Sequence, residues 1–235
     1  MLMERQTTFI LTFVTGFVDT VGFLALSGLF TAQITGNLVL VGASLVNTVT
    51  NTFNRLLLLP IFLIGGSITA LLDTILRKRV KAVLPILLMI EGGLLLLFAG
   101  LGYYRQTQHH VLRETDIFFV GAIGVLAMAM QSSAVRLRLP DYVSTTVMTT
   151  NLTQFSIGLL NYLSSTVLVD KRANWETKRN LLRCQMSRYG IALLGFVVGT
   201  TVGALLFITG GLAVAYIPAG LVFWLVINCL SFSLY

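Results

Sequence analysis

The 235-residue chain is 56% hydrophobic and 11% charged, with a mean hydropathy of +0.87. A soluble domain carries about 25% charged residues, so too little polar surface is present to cover a globule in water, and an all-α integral membrane protein is expected. The net charge of +7 does not point to nucleic acid, because the basic residues lie between apolar runs, where cytoplasmic loops of membrane proteins carry them.

Six apolar runs are long enough to span at roughly 20 residues each. They cover about Thr7–Gly28, Leu56–Leu76, Val83–Tyr104, Ile117–Val135, Tyr189–Ile208 and Leu212–Ser233. The first shows no small-residue cleavage site and reads as a span rather than a leader. The last two run together, and Gly210-Gly211 is the expected turn between them. Cys184 and Cys229 form no CxxC pair and give no disulfide framework or metal site.

Between these runs lies a polar stretch that occurs twice. Thr31–Asn47, TAQITGNLVLVGASLVN, falls on Thr145–Asn161, TTVMTTNLTQFSIGLLN, after a shift of 114 positions. Thr31/Thr145, Thr35/Thr149, Asn37/Asn151 and Leu38/Leu152 are among the identical pairs. A repeated polar motif in an apolar chain suggests two related halves, 1–110 and 111–235, within a single membrane domain over 1–235.

Charge decides whether these stretches span. Lys and Arg accumulate on the cytoplasmic side. Eight spans divide the 16 basic residues 10 against 6; six spans with two re-entrant segments divide them 13 against 3, leaving Arg55, Arg105 and Arg113 outside. The expectation is therefore six transmembrane helices plus two re-entrant half-helix segments, both termini in the cytoplasm. Three spans per half is odd, so the halves form an inverted 3+3 repeat, as in many secondary transporters.

Each polar segment is expected to run inward, cap a half-helix and return. Thr35 would cap a helix from Gly36 to about Thr50, and Thr149 one from Thr150 to Ser164, after Pro140-Asp141 breaks the preceding span. Facing half-helix N-termini favour an anionic or polar ligand. Thr31, Gln33, Thr35, Gly36 and Asn37, with Thr145, Thr149, Thr150, Asn151 and Gln154, are the substrate-binding candidates. The alternative is that these groups only bond one another and glue helices together.

Asp19 and Glu91 fall near the middle of the first and third spans, where a carboxylate is costly and faces a cavity or partner. They are the proton-coupling candidates, and Gln131 occupies roughly the place of Asp19 in the second half. Asp73 is expected to pair with the basic run Arg77–Lys81. Gly195, Gly199 and Gly203 mark one close-packing face. His109 and His110 read as solvated. The basic stretch Lys171–Arg188 is expected to rest on anionic headgroups.

GFVDTVGFLALSGLFTAQITGNLVLVG, with the later MQSSAVRLRLPDYVSTTVMTTNLT, resembles the signatures of the YoaK family, small bacterial inner-membrane proteins assigned to a domain of unknown function. The resemblance covers nearly the whole chain and implies a six-span or similar bundle, with no established substrate. One departure is that the second copy reads Thr149-Thr150-Asn151 where the first reads Thr35-Gly36-Asn37.

These readings lead to a small secondary transporter or channel-like permease for a small polar or anionic solute, coupled to protons. The rival is a structural or lipid-interacting membrane protein. No GxxxxGK[ST] motif is present, so the drive is a gradient. No nucleophile–base pair or metal cluster suggests an enzyme. Expected partners are the lipid bilayer and a small-molecule solute, with no cofactor, no metal and no nucleic acid; self-association is left open.

Overall fold

The computed structural model describes residues 2–46, 52–80, 82–108, 112–140, 142–167 and 175–233. Eight α-helices, and no strands, occur among the described residues: α1 (Leu2–Ala25), α2 (Ile34–Ala43), α3 (Thr52–Leu76), α4 (Val83–Gln108), α5 (Glu114–Arg138), α6 (Met148–Val167), α7 (Trp175–Gly210) and α8 (Tyr216–Ser233). Within a bilayer a helix satisfies its own backbone, so long apolar runs take this form. Five segments are long and apolar enough to cross: α1, α3, α4, α5 and the 52-residue stretch Arg179–Leu230. The last holds both α7 and α8. A tighter helical turn over Gly211–Ala215 separates them, with Gly211 at φ +53°. The chain bends where the Gly-Gly pair predicted, and Gln106 on α4 accepts the Leu212 N–H at 2.9 Å.

The 36 residues of α7 extend about 54 Å at ~1.5 Å per residue. That exceeds a hydrocarbon core of about 30 Å, so the basic first turns of α7 project beyond it. α1 stops at Ser27 (φ +54°) and Gly28 (φ +78°). Left-handed backbone suits Gly and costs Ser about 1 kcal/mol. The guanidinium of buried Arg55 donates to the Ser27 carbonyl at 2.6 Å and holds this corner.

The packing interleaves the two halves. α1 lies against α7 and also touches α8; α5 lies between α3 and α4; α4 also packs on α8. The two helices that follow the polar loops sit at the margins, the 10-residue α2 on α3 and the 20-residue α6 on α7. Gly195, Gly199 and Gly203 face Phe9, Phe13 and Phe17 respectively, so α1 and α7 approach with almost no side chain between them on that face. Gly65 likewise lets α3 approach Ala129 and Leu126 of α5. Small residues bring membrane helices into van der Waals contact without a water-driven hydrophobic force. The core they enclose includes Leu11, Phe17, Phe98, Met128 and Leu212, all fully buried.

Several local expectations change. α2 begins at Ile34 rather than Gly36, and its cap position is Gln33, with no side-chain cap bond. α6 begins at Met148, which places Thr149 inside the helix rather than before it. Both helices start earlier because other side chains hold the incoming backbone. Asp73 pairs with Arg138 of α5, not with Arg77, Lys78 or Arg79, because α3 and α5 run side by side and end together; Lys81 lies outside the described residues. His109, His110, Asp141 and Lys171–Asn174 lie outside the described residues.

Candidate functional site

The first polar segment is folded around two side chains. Asn37, fully buried one turn into α2, accepts the Phe30 N–H at 2.9 Å and donates to the Phe30 carbonyl at 2.8 Å. One amide thus pairs both backbone groups of a residue seven positions earlier, closing the loop. Asp19 reaches in from α1. One of its carboxylate oxygens accepts the N–H groups of Thr31 and Ala32, both at 2.8 Å, and the Thr31 hydroxyl at 3.3 Å. These N–H groups lie just ahead of α2, where a negative charge is favoured. At this end of the molecule the protein's own carboxylate fills that position.

The second segment follows the same plan with different chemistry. Asn151 donates to the carbonyl of Ser144, again seven residues back, at 2.7 Å. Thr145, at the position of Thr31, is held by Gln131 of α5 at 3.3 Å. Ser132 and Thr146 share a hydrogen bond of 3.1 Å beside it. Ser144 Oγ also accepts the Val147 N–H at 3.2 Å. In this half an amide donates to the segment's hydroxyl and a serine hydroxyl accepts a backbone N–H, where in the other a carboxylate accepts the backbone N–H groups.

The helices α2 and α6 do not pack on each other among the described residues. The two segments are joined through α1 and α5 instead. Gln131 donates to the Thr15 hydroxyl at 2.8 Å and to the Leu11 carbonyl at 3.0 Å. Thr15 lies one helical turn before Asp19, on the same face. Thr31, Asp19, Thr15, Gln131 and Thr145 therefore form a line of buried polar groups from one segment to the other.

Glu91 lies at the level of that line. On α4, Arg105 pairs with Asp116 of α5 at 3.3 Å. Phe98 meets Gly124, and Leu87 packs with Met130 and Ala134. That antiparallel register puts Glu91 level with Met130 and Gln131. Glu91 is 0% exposed, and among the described residues neither carboxylate oxygen has a hydrogen-bond partner; the Gln131 amide oxygen lacks one too. A buried polar group without a partner is costly, so this level of the bundle calls for a proton or a polar guest.

The remaining candidates divide by exposure. Thr31, Asn37, Thr145 and Asn151 are buried, Gln33 and Gly36 are half-buried, and Thr35, Thr149, Thr150 and Gln154 are exposed. Gly36 has Phe30 against its Cα, where a side chain would crowd the ring. Thr15, Ser132 and Thr146 take part without having been singled out from sequence; spacing of one turn from Asp19 was the available signal for Thr15. Among the described residues no three His, Cys, Asp or Glu side chains gather as a metal site.

Comparison with known proteins places this arrangement among uncharacterised membrane proteins. Residues 7–228 match the family described as "Protein of unknown function (DUF1275)". The UPF0700 transmembrane protein YoaK of Bacillus subtilis (strain 168) is 28% identical over 196 residues, which cover 81% of this chain and 78% of that one. No solved structure matches the chain.

Proposed function

The chain belongs to the DUF1275 family of membrane proteins, and from that premise we propose that it is a small secondary permease moving a small polar or anionic solute together with protons. In this reading six crossings of the bacterial inner membrane form an inverted 3+3 repeat with both termini in the cytoplasm. The two polar segments then enter from opposite faces, and the buried polar line between them is the route.

That line carries the proposal. A helix bundle held together by apolar packing and small residues has no need of a carboxylate at its centre, and such groups in membrane proteins mark ion or substrate paths. Asp19, bonded to the first segment, and Glu91, with both oxygens unpartnered, are the proton-handling groups. Thr35, Thr149, Thr150 and Gln154 make no side-chain hydrogen bond among the described residues and offer polar arms to a solute at the segment mouths; Gln33 and Gly36 flank the first. The helix packing supports the repeat. Exchanging α1–α4 with α5–α8 turns the α1–α7 contact into α5–α3, α4–α5 into α8–α1, and α2–α3 into α6–α7. The seven-residue asparagine clasps support it as well.

A second reading, a structural protein whose polar repeats glue helices, is favoured by one observation: Asn37 and Asn151 engage their amides within their own segments. The two readings part in reconstituted liposomes. With a pH-sensitive dye inside, an inward gradient of a transported solute is expected to change internal pH, and Glu91→Gln to abolish that change. Solute uptake with no pH change in the unaltered protein removes the proton component. Absence of uptake across a broad panel of polar solutes, by protein of normal melting temperature, establishes the structural reading.

A further inference from the structure

A groove of about 450 Å³ opens between α6 and α7, lined by Phe155 and Tyr162 from α6 and by Arg183, Met186, Ser187, Gly190, Ile191 and Leu194 from α7. It plays no part in the polar line. Its two ends differ in chemistry. The two helices run antiparallel: Gly190 faces Phe155, Gly158 faces Met186, and Arg179 bonds the Tyr162 hydroxyl at 3.3 Å with its guanidinium 5.4 Å from the ring centre. The Leu194–Phe155 end is therefore apolar, and the other end carries Arg179, Arg183, Ser187 and Tyr162.

Position matters as much as composition. Arg188 of α7 pairs with Glu4 at the start of α1 at 2.9 Å, so the earlier turns of α7 that carry Arg179 and Arg183 lie outside the apolar zone, at headgroup level. From Gly190 to Leu194 the groove enters that zone for about 6 Å at ~1.5 Å per residue. Arg183 has no acidic partner among the described residues. A guanidinium bonds a phosphate through two parallel N–H groups. Basic pockets between helices at a membrane face suit anionic headgroups. Gly190 lines the groove, and a side chain there would run into Phe155.

We propose that this groove binds one anionic phospholipid, with an acyl chain along Phe155, Gly190, Ile191 and Leu194 and the headgroup phosphate on Arg183 and Ser187. Arg179 is already turned to Tyr162 and fixes the rim on which the headgroup rests.

The experiment uses the full chain in detergent, stripped of lipid, with melting temperature and native mass spectra as readouts. Phosphatidylglycerol is expected to raise the melting temperature by several degrees and to leave a one-lipid adduct. Phosphatidylcholine is expected to do this at least tenfold less effectively by concentration. Arg183→Gln should remove the preference while Arg183→Lys retains part of it. Gly190→Leu, which fills the groove from the other end, should lose the adduct with Arg183 intact. Equal effects of the two lipids, or an adduct that survives both Arg183→Gln and Gly190→Leu, overturn the proposal, leaving only general lipid contact. Inorganic phosphate that reproduces the full shift overturns it as well, because the site then recognises the anion and not the lipid.

Discussion

Gln131 donates its amide to the hydroxyl of Thr15 at 2.8 Å, so the helix that leads into the second polar segment is bonded to the helix that leads into the first. The same amide group reaches Thr145. Removing it breaks the hydrogen-bonded link between the two polar segments.

Gln131→Leu keeps the volume of that side chain nearly constant while deleting its bonds to Thr15, Leu11 and Thr145. Thermal unfolding in detergent should show a loss of about 1–3 kcal/mol, the cost of stranding buried polar partners. A melting temperature equal to that of the unaltered protein refutes the idea that the polar line holds the halves together.

Asn37→Ala and Asn151→Ala each open one clasp. Each should lower stability by about 1–3 kcal/mol. Asn37 should be the costlier, since it holds both the N–H and the carbonyl of Phe30. α2 and α6 do not pack on each other among the described residues, so the two losses should add to within about 0.5 kcal/mol. A double mutant that departs from the sum by several times that amount shows instead that both asparagines meet on one ligand.

Asp19→Asn keeps an oxygen to accept the Thr31 and Ala32 N–H groups but takes away the charge. Asp19→Ala takes away both. Asp19→Asn is expected to unfold within about 1 kcal/mol of the unaltered protein, and Asp19→Ala to fall a further 1–3 kcal/mol below it. If the two variants melt alike, the loop does not depend on this acceptor.

Single cysteines at Thr107 and Asn174, in a chain with Cys184 and Cys229 replaced, should react with a membrane-impermeant maleimide from opposite faces of oriented vesicles. The prediction follows from the 13-to-3 division of basic residues. Labelling of both from one face excludes six crossings.

Gly199→Leu puts an isobutyl group where α7 lies on the backbone of Phe13. No rotamer avoids backbone, so the helices must separate, at a cost of about 1–3 kcal/mol or more. Gly93→Leu, at a position with open space around it, is the control and should change stability by less than 1 kcal/mol. Equal effects from both indicate that the seam is not tightly packed.

The long helices were legible because apolar length and the Gly210-Gly211 break are properties of the chain itself. The clasps at Asn37 and Asn151 sit at positions that the 114-residue shift had already matched. What sequence missed depends on neighbours far along the chain. The cap expected at Thr35 is absent because Asp19, on a different helix, supplies the acceptor for the backbone ahead of α2. Asp73 chose Arg138 over the nearer Arg77 because adjacency of α3 and α5 outweighs one turn of separation in sequence. Local spacing reports which groups need partners; the packing of helices decides who they are.

The interleaving of α1 with α7 and of α3 with α5 also governs how the molecule can be made. A ribosome releases α1 first and α7 nearly last, so the first helix enters the bilayer long before its glycine-lined neighbour exists. Each polar segment likewise emerges ahead of the helix that carries it, α2 before α3 and α6 before α7. Neither half is a unit that can mature while the other is being translated. Completion of the chain is thus the event that closes the bundle, and a nascent product stopped after α4 leaves the faces of α1 and α3 without their mates, open to quality-control proteases.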